Sequence, residues 1–440
     1  MPNNYTVPVI RAALLASLLA TLLGCSASPQ AMPSATSSPA PASSAPASGT
    51  PSQSIDPDEP TAADLHQIRT LLSTRARAIE DGDRPRFLST TDDADPAFVR
   101  TQLIFFANLS SLPVTSISYS VTDTYLPPSP VAGADPTLHP EVVEHVRLDT
   151  VTTRPIGNVV NLTFVERDGQ WLVGAERVSD EYSGYDSVQA RPWYGTRIAS
   201  ASNDEVLAVV DADGQVTAAD LLGASQEALD FDRSVLQIDA DAPVLIDATT
   251  NSTVYSINKT TGQEAGALTR TVWALNDEHD LTRPAGVIIR ANPDNVEQLL
   301  YDRQTLRHEV VHRLLSGIDN WSPIWLTEGL AEYVSTRPDG ASFTLSLVDG
   351  PALLAENPDL PIQGTFGDDP AEDYLVSQAA VTALVRAGGM GGIRDLMDTY
   401  RRLWSGSPDS VTPTALRQVY ELTREQLAQN AWGVLGELLG

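Results

Sequence analysis

The chain has 440 residues, a hydrophobic fraction of 42% and a formal net charge of -29. This length has room for two domains with a sizeable core, and the composition is typical of a globular protein. The negative charge argues against nucleic acid as a partner, because a basic patch would have to act against the field of the whole protein.

The first 24 residues predict a secretory signal peptide. Arg11 is their only charged residue, and an apolar run over 12–23 follows it. That run is shorter than the roughly 20 residues of a membrane-spanning helix. It ends in the letters LLGC, where Cys25 is the only cysteine of the chain. This ending resembles the lipobox of bacterial lipoproteins, which implies cleavage before Cys25, its acylation, and an extracytoplasmic protein anchored to the cell membrane. The alternative is a plain signal peptide with an unrelated cysteine.

Residues 25–60 predict a tether. After Cys25 the segment consists mainly of Ser, Ala, Pro and Thr, with almost no large apolar side chains. Such a segment cannot bury enough surface to offset the entropy lost on ordering, so we expect a disordered linker. A flexible chain of this length reaches roughly 30 Å, which separates an acidic body from an anionic membrane.

A first folded domain is predicted over 61–185. The stretch ADLHQIRTLLSTRARAIEDGD has apolar residues at helical spacing. Three runs with alternating apolar residues follow, and Asp168-Gly169 marks a hairpin turn within the last of them. A helix and strands that close on DGQWLVGAERV resemble the nuclear transport factor 2-like (SnoaL-like) family. The resemblance implies a cone of one helix and a curved antiparallel sheet, and such cones often enclose a pocket.

No convergent set of polar residues is evident in this predicted cone. His139 and His145 are interpreted as solvated or structural residues rather than as catalytic ones. We therefore favour an accessory spacer or interaction module over a binding domain.

The second predicted domain, 191–440, opens with strand-like segments. EVLAVVDADGQV predicts a hairpin with its turn at Asp213-Gly214, and PVLIDATTNSTVYSI and AGVIIRANP are further strand candidates. From Asn295 onward the pattern is almost entirely helical. Asn295 and Gln298 predict a capping box at the start of one continuous helix that ends at Ser316-Gly317.

This helix carries the segment HEVVH. His308 and His312 lie one turn apart on one face, so both imidazoles can reach the same metal ion. Glu309 lies about 100° round the helix and can reach a water on that ion. A second helix is expected to start with Ser322 as cap and Pro323 as its first residue.

The second helix carries Glu328 and Glu332, again one turn apart. A catalytic zinc ion takes three protein ligands, and Glu328 offers the third. Glu332, on the same face, can accept the second ring N–H of a ligating histidine. The alternatives are that all four side chains belong to ordinary solvated faces, or that the metal site has lost its activity.

HEVVH followed by WLTEGLAEYV resembles the gluzincin metallopeptidases of the peptidase MA-like group, related to thermolysin and aminopeptidase N. The resemblance spans Val244–Trp432. It implies one Zn²⁺ per chain held by His308, His312 and Glu328, with Glu309 as general base and Glu332 supporting a ligand. The fold class expected for the chain is α+β: the cone, then a zincin-type domain with a mixed sheet followed by a helical subdomain.

The resemblance also implies a donor to the carbonyl oxygen under attack, supplied by a later helix. Tyr374, in DPAEDYLVSQAAVTALV, is the first candidate and His279 the second. Peptide substrates in such folds usually run along an edge strand, for which Ala285–Pro293 is the candidate by position. The aminopeptidases hold the substrate's amino terminus with a Gly-x-Met-Glu-Asn segment, which this chain lacks.

The predicted function is therefore a membrane-anchored, extracytoplasmic zinc metallopeptidase acting on peptides or proteins, with endopeptidase action favoured. One alternative is a non-catalytic binding or scaffold lipoprotein with a degenerate zincin domain. A metal-sensing lipoprotein is the other, but six scattered histidines do not supply the extra ligands it would need. The oligomeric state and the substrate are not predicted.

Overall fold

The computed structural model describes residues 60–125, 137–177, 191–238, 243–251, 266–276, 281–318, 321–337, 348–356, 359–367 and 369–439. The predicted signal peptide, Cys25, nearly all of the predicted linker and His279 lie outside the described residues. Among the helices that are described, none combines the length and the apolar character needed to cross a membrane.

The N-terminal region begins with the predicted helix, α1 (Ala62–Glu80). The Thr61 side chain accepts a hydrogen bond from the Asp64 amide, and the Asp64 carboxylate accepts one from the Thr61 amide. This capping box satisfies two amides at the start of the helix. Three of the apolar side chains predicted to face inward are buried: Ile68, Leu72 and Ala76. Two helices that were not predicted follow, α2 (Arg84–Leu88) and α3 (Pro96–Ser111).

The first sheet is antiparallel. Its strands are β1 (Val114–Tyr125), β2 (Thr137–Leu138), β3 (Pro140–Leu148), β4 (Ile156–Arg167) and β5 (Gln170–Arg177). They run in the order β1-β3-β4-β2, and β5 also pairs with β4. The predicted hairpin turn is confirmed, since Asp168 and Gly169 join β4 to β5 with φ of 51° and 76°. Helix and antiparallel sheet share a buried core, as expected, while the resemblance to the nuclear transport factor 2-like family stays a prediction.

The second sheet is mixed, as predicted. Its strands are β6 (Ile198–Ser202), β7 (Val206–Asp211), β8 (Val244–Ala248), β9 (Ala267–Leu275) and β10 (Leu281–Ala291). They run in the order β6-β7-β8-β10-β9. Strands β7, β8 and β10 are parallel, whereas β6 and β9 pair antiparallel with their neighbours.

Two predictions for this sheet are wrong. Asp213-Gly214 does not turn a hairpin, because the parallel pair β7 and β8 needs a crossover, which helix α4 (Ala218–Leu236) supplies. The Thr217 hydroxyl caps α4 by accepting a hydrogen bond from the Asp220 amide. Ala285–Pro293 is not an edge segment either, because β10 lies between β8 and β9. In the described part of the sheet, the edge strand on that side is β9.

The described chain after Asn295 is almost entirely helical, as predicted. The helices are α5 (Val296–Asp302), α6 (Gln304–Leu315), α7 (Ile324–Ser335), α8 (Gly350–Glu356), α9 (Pro370–Leu403), α10 (Pro408–Tyr420) and α11 (Arg424–Leu439). The single helix expected from Asn295 is broken, because Arg303 adopts left-handed φ of 57° between α5 and α6. Asn295 makes no side-chain capping bond. Pro323 is extended and precedes α7 instead of forming its first turn.

The two faces of the second sheet are covered differently. On one face, β7, β8 and β10 share the largest core with α4, α6, α7 and α9. On the other face, Leu245 and Ile288 pack with Phe105 of α3 and with Trp193. The Thr153 amide also donates to the Ala285 carbonyl oxygen at 2.7 Å. The N-terminal region and the second sheet therefore share a hydrophobic core.

Candidate metal centre

Helix α6 places both predicted histidines in the interior. It packs against α4, α7 and the edge strand β9, and its side chains His308, Glu309 and His312 are buried. His308 and His312 point in the same direction, with ring centroids 4.9 Å apart and their Nε2 atoms 3.2 Å apart. The four-residue spacing thus brings two imidazole nitrogens to one point, as predicted from the sequence.

Glu328 reaches the same point from α7. Its Oε2 atom lies 3.3 Å from His308 Nε2 and 3.4 Å from His312 Nε2. A tetrahedral zinc ion with bonds of about 2.0–2.2 Å holds neighbouring ligand atoms about 3.3–3.5 Å apart. The three donor atoms therefore have the spacing of one face of such a tetrahedron. Among the described residues, these three form a His-His-Glu group able to hold a metal ion.

The electrostatics of this group favour a cation. Burial raises the pKa of Glu328, but His312 and His308 outweigh burial and bring it down to about 2. Burial lowers the pKa of His308, yet Glu328 and Glu332 hold it well above its usual value. Glu328 raises the pKa of His312 in the same way, against burial. The Glu328 Oε2 atom is buried and has no hydrogen-bond partner among the described residues, which fits a metal-ligand atom.

Glu332 lies behind the first histidine. Its Oε1 atom is 3.1 Å from His308 Nδ1, and both side chains are buried. A carboxylate in this position favours the tautomer with a proton on Nδ1, which leaves Nε2 free to bind metal. This placement agrees with the supporting contact predicted from the spacing of Glu328 and Glu332.

Gly329 allows α7 to approach α9. A Cβ atom at this position would overlap the carbonyl oxygen of Ser377 in α9. Glycine is needed for this close approach of two helices. The contact lies next to Glu328 and brings the first turns of α9 to the metal group.

Tyr374 is buried in those first turns of α9. Its ring centroid lies 6.0 Å from that of His308 and 5.1 Å from that of Phe366. Tyr374, the first donor considered from the sequence, therefore lies beside the metal group, whereas His279 is outside the described residues. His139 and His145 lie instead in the first sheet, with ring nitrogens 3.2 Å from Thr163 Oγ1 and 3.0 Å from Ser120 Oγ.

Glu309 points towards strand β9. The Thr269 hydroxyl lies 2.7 Å from Glu309 Oε2 and 2.9 Å from the Glu309 carbonyl oxygen. Glu309 is fully buried, and its charge contributes to the raised pKa of His312. Thr269 was not identified from the sequence. The run ALTRTVWAL is rich in β-branched residues and could have indicated a strand, but nothing in it indicates a contact 40 residues away.

A second group of charged side chains lies inside the N-terminal region, where none was predicted. Arg191 makes a two-bond contact with Glu144, at 2.9 and 3.0 Å, and a third bond to Glu176 at 2.9 Å. Arg75 bonds Thr90 at 3.0 Å and also contacts Gln102. We call Arg75, Glu144, Glu176 and Arg191 the arginine cluster.

The arginine cluster contacts the first residues of the second region, which begins at residue 191. Trp193 donates its ring N–H to Glu144 at 3.0 Å and is fully buried. Asn108 of α3 donates to the carbonyl oxygens of Trp193 and Thr196 at 3.0 and 2.7 Å. Arg191 and Trp193 therefore link the N-terminal region to the start of the second region.

Comparisons with known proteins give no family assignment. No protein-family model matches the chain, and no curated protein matches it. Similar solved structures include a mutant M1 zinc metallopeptidase from Deinococcus radiodurans bound to a Tyr-Ser-Ala substrate. It has 13% identity and a TM-score of 0.31, and the match covers 72% of this chain and 61% of that one.

A second structure of a mutant M1 zinc metallopeptidase from Deinococcus radiodurans has 14% identity and a TM-score of 0.33, and the match covers 72% of this chain and 70% of that one. A mutant two-domain M1 zinc metallopeptidase bound to L-arginine has 14% identity and a TM-score of 0.30, with 74% and 69% covered. The chain spans 61% of the length of the first structure. Similarity this distant carries no argument about chemistry, which rests on the residues of the site.

Proposed function

We propose that this protein is a zinc-dependent peptidase that hydrolyses peptide bonds outside the cytoplasm. One observation carries the proposal. The Nε2 atoms of His308 and His312 and the Oε2 atom of Glu328 are 3.2–3.4 Å apart, beside a buried glutamate that follows the first histidine directly. Two imidazoles, one carboxylate and an adjacent carboxylate base are the side chains that zinc-assisted hydrolysis uses.

His308, His312 and Glu328 would hold the ion, and Glu332 would keep His308 in the tautomer that binds metal. A bound zinc ion supplies Lewis-acid polarisation of the attacking water and of the substrate carbonyl. Glu309 takes the proton from the water on one carboxylate oxygen as the water oxygen attacks the carbonyl carbon. The same glutamate passes this proton to the amine nitrogen as the C–N bond breaks.

Tyr374 is proposed to donate its hydroxyl proton in a hydrogen bond to the carbonyl oxygen as negative charge develops there. Its buried position beside His308 supports this role. Removing one such donor typically lowers kcat by about 10²–10³-fold. Tyr374→Phe keeps the ring that packs on Phe366, so this variant should lose activity while keeping its metal content.

We further propose that Cys25 anchors the protein to the outer side of the bacterial cell membrane. Support comes from the basic and apolar start of the chain and from the position of its only cysteine after LLG. Cleavage within peptides is favoured over removal of terminal residues, because the chain lacks the Gly-x-Met-Glu-Asn segment of the related aminopeptidases.

The first experiment measures zinc per chain. Residues 61–440 are purified without chelator, alongside His308→Ala and the matched control His66→Ala, which removes an exposed histidine of α1. One zinc per wild-type and control chain, with none in His308→Ala, is the expected result. A wild-type protein that takes up no zinc even when zinc is added would end the proposal.

The second experiment tests hydrolysis with a peptide library. Glu309→Gln should keep the zinc and lose cleavage, because the amide cannot accept the proton. Glu297→Gln, the same substitution at an exposed position of α5, is the control and should behave as wild type. A Glu309→Gln variant with full activity would exclude Glu309 as the base. A zinc-loaded wild type that cleaves nothing would favour the non-catalytic binding protein.

A further inference from the structure

Thr269 is held by the second sheet and faces the metal-binding helix. In the β9–β10 ladder it lies opposite Ile289, whose side chain belongs to the core shared with α6. Residues opposite each other in an antiparallel pair point to the same side of a sheet. The position of the Thr269 side chain is therefore set by the sheet and not by the helices that carry the metal ligands.

The Thr269 hydroxyl contacts two oxygen atoms of Glu309: it lies 2.7 Å from Oε2 and 2.9 Å from the carbonyl oxygen. Both are acceptors, so the hydroxyl is the donor. Its single proton is directed to the carboxylate by the shorter distance and the charge. Because the glutamate is fully buried, the protein and not solvent supplies the hydrogen-bond donors to its carboxylate.

A general base works best when one oxygen is presented in a fixed direction. A donor on Oε2 restrains the carboxylate, so that the other oxygen, Oε1, can be presented in a constant direction. Threonine suits this task, because its branched Cβ restricts χ1 and a strand restricts its backbone. Resting on the proposed function, we propose that Thr269 is a positioning residue that holds Glu309 Oε2, so that Oε1 accepts the proton from water.

The proton balance of this step is simple. One O–H bond of the water breaks and its proton moves to Oε1, while the water oxygen forms a bond to the carbonyl carbon. The proton on Oε1 later passes to the amine nitrogen as the C–N bond breaks. Thr269 keeps its own proton throughout.

The kinetic test uses Thr269→Val, which keeps the shape and removes the hydroxyl, and Thr269→Ser, which keeps the hydroxyl. Thr115→Val is the matched control: a strand threonine of the N-terminal region whose hydroxyl also bonds a carbonyl oxygen. Losing a hydrogen bond to a charged group corresponds to about a 10- to 100-fold loss in kcat for Thr269→Val. We expect its KM and zinc content, and all properties of Thr115→Val, to stay within about threefold of wild type. Thr269→Ser should lose less kcat than Thr269→Val, because it keeps the hydroxyl but not the branched Cβ.

A second measurement does not depend on activity. Urea unfolding of the metal-free protein is compared for Thr269→Val, Glu309→Ala and the double variant. If the Thr269 hydroxyl bonds the Glu309 carboxylate directly, Thr269→Val should change the unfolding equilibrium constant about tenfold more in the wild-type background than in the Glu309→Ala background. Thr115→Val should show no such dependence on Glu309.

Three results would overturn the inference. They are a wild-type kcat for Thr269→Val, a decrease in kcat for Thr269→Ser as large as that for Thr269→Val, and additive effects of Thr269→Val and Glu309→Ala on the free energy of unfolding. A wild type that binds zinc but hydrolyses no peptide would reject the proposed function and, with it, the catalytic role of the Thr269–Glu309 contact. In that case a non-additive effect of the two substitutions on unfolding would still show that the hydrogen bond forms. An active wild type with normal Thr269→Val kinetics would reject the role of Thr269 alone.

Discussion

The arginine cluster and the metal centre are both buried groups of charged side chains, and they differ in how their charges are matched. In the arginine cluster two arginines face two glutamates, and Arg191 makes three bonds to Glu144 and Glu176. In the metal centre, two imidazoles and Glu328 turn their lone pairs towards one point, and Glu328 Oε2 lacks a hydrogen-bond partner among the described residues.

This difference separates a structural group from a binding group. Buried charged side chains that are paired with one another link the segments that carry them. Their hydrogen-bonding atoms are already occupied, so none is available to bind a ligand. In the metal-free protein the glutamates favour protons on the convergent histidines, and a metal ion that binds there displaces them. The comparison predicts that changes in the arginine cluster alter stability and not metal content, whereas changes in the metal centre alter metal content.

The largest effect is expected from His312→Ala. Removing one of three ligands should lower zinc affinity by more than the roughly 10–100-fold that loss of a supporting partner costs. Zinc per chain and peptide hydrolysis should therefore fall to background. A variant that keeps its zinc would show that His312 is not a ligand.

Glu144→Gln should act on stability alone. Removing one partner of a buried ion pair typically lowers the free energy of unfolding by about 3–5 kcal/mol. The remaining bond from Arg191 to Glu176 at 2.9 Å places the expected loss near the lower end of that range. Urea unfolding measures the loss, with Glu297→Gln as control. Zinc loss from a still-folded Glu144→Gln protein would contradict the separation of the two groups.

Glu332→Gln should weaken metal binding without abolishing it. The amide oxygen can still accept the His308 Nδ1 proton, but without the negative charge that strengthens the ligand. Zinc affinity should fall by about 10–100-fold, measured by competition with a chromogenic chelator. Equal affinities of the variant and wild type would mean that Glu332 only fills space behind His308.

Asp232→Asn should change stability by an amount that depends on pH. Asp232 of α4 is fully buried, and neither carboxylate oxygen has a hydrogen-bond partner among the described residues. Burial raises its pKa well above the usual value, although Arg307 and His308 partly oppose this. The folded state therefore holds the proton more tightly than the unfolded state, so wild-type stability falls as pH rises above about 4.

Asp232→Asn removes the titrating carboxyl group, so its free energy of unfolding should not fall in this way as pH rises. It should be more stable than wild type at pH 7, and the difference should shrink to nothing near pH 4. The expected slope approaches about 1.4 kcal/mol per pH unit between the unfolded and folded pKa values. Urea unfolding of the metal-free proteins at several pH values measures it. A difference that is the same at every pH would mean that Asp232 does not change its protonation on folding.

The metal centre could be predicted from the sequence because its residues lie on two consecutive helices. A spacing of four residues places His308 above His312, and Glu328 above Glu332, on one helix face. The sequence does not encode the distance between the two faces as directly, because that distance depends on how α6 and α7 pack against each other. Cys25 and His279 lie outside the described residues, so their predicted roles remain predictions.

Long-range contacts could not be predicted in this way. Thr269 and Glu309 meet because a sheet and a helix pack, and no local pattern records that packing. Arg75, Glu144 and Arg191 meet for the same reason across three elements or segments. The strand order could not be predicted either. The alternation of apolar residues identifies β10 as a strand, but it does not show that β9 pairs with β10 and forms the edge of the sheet.

The core shared by the two halves has a consequence for proteolysis. A protease that cuts the chain between 178 and 190 would break a covalent link but leave Phe105, Trp193, Leu245 and Ile288 packed together. The two fragments should then travel as one particle in gel filtration until denaturant separates them. If Cys25 carries the anchor, such a cut would nick the protein without shedding its metal-binding half from the membrane.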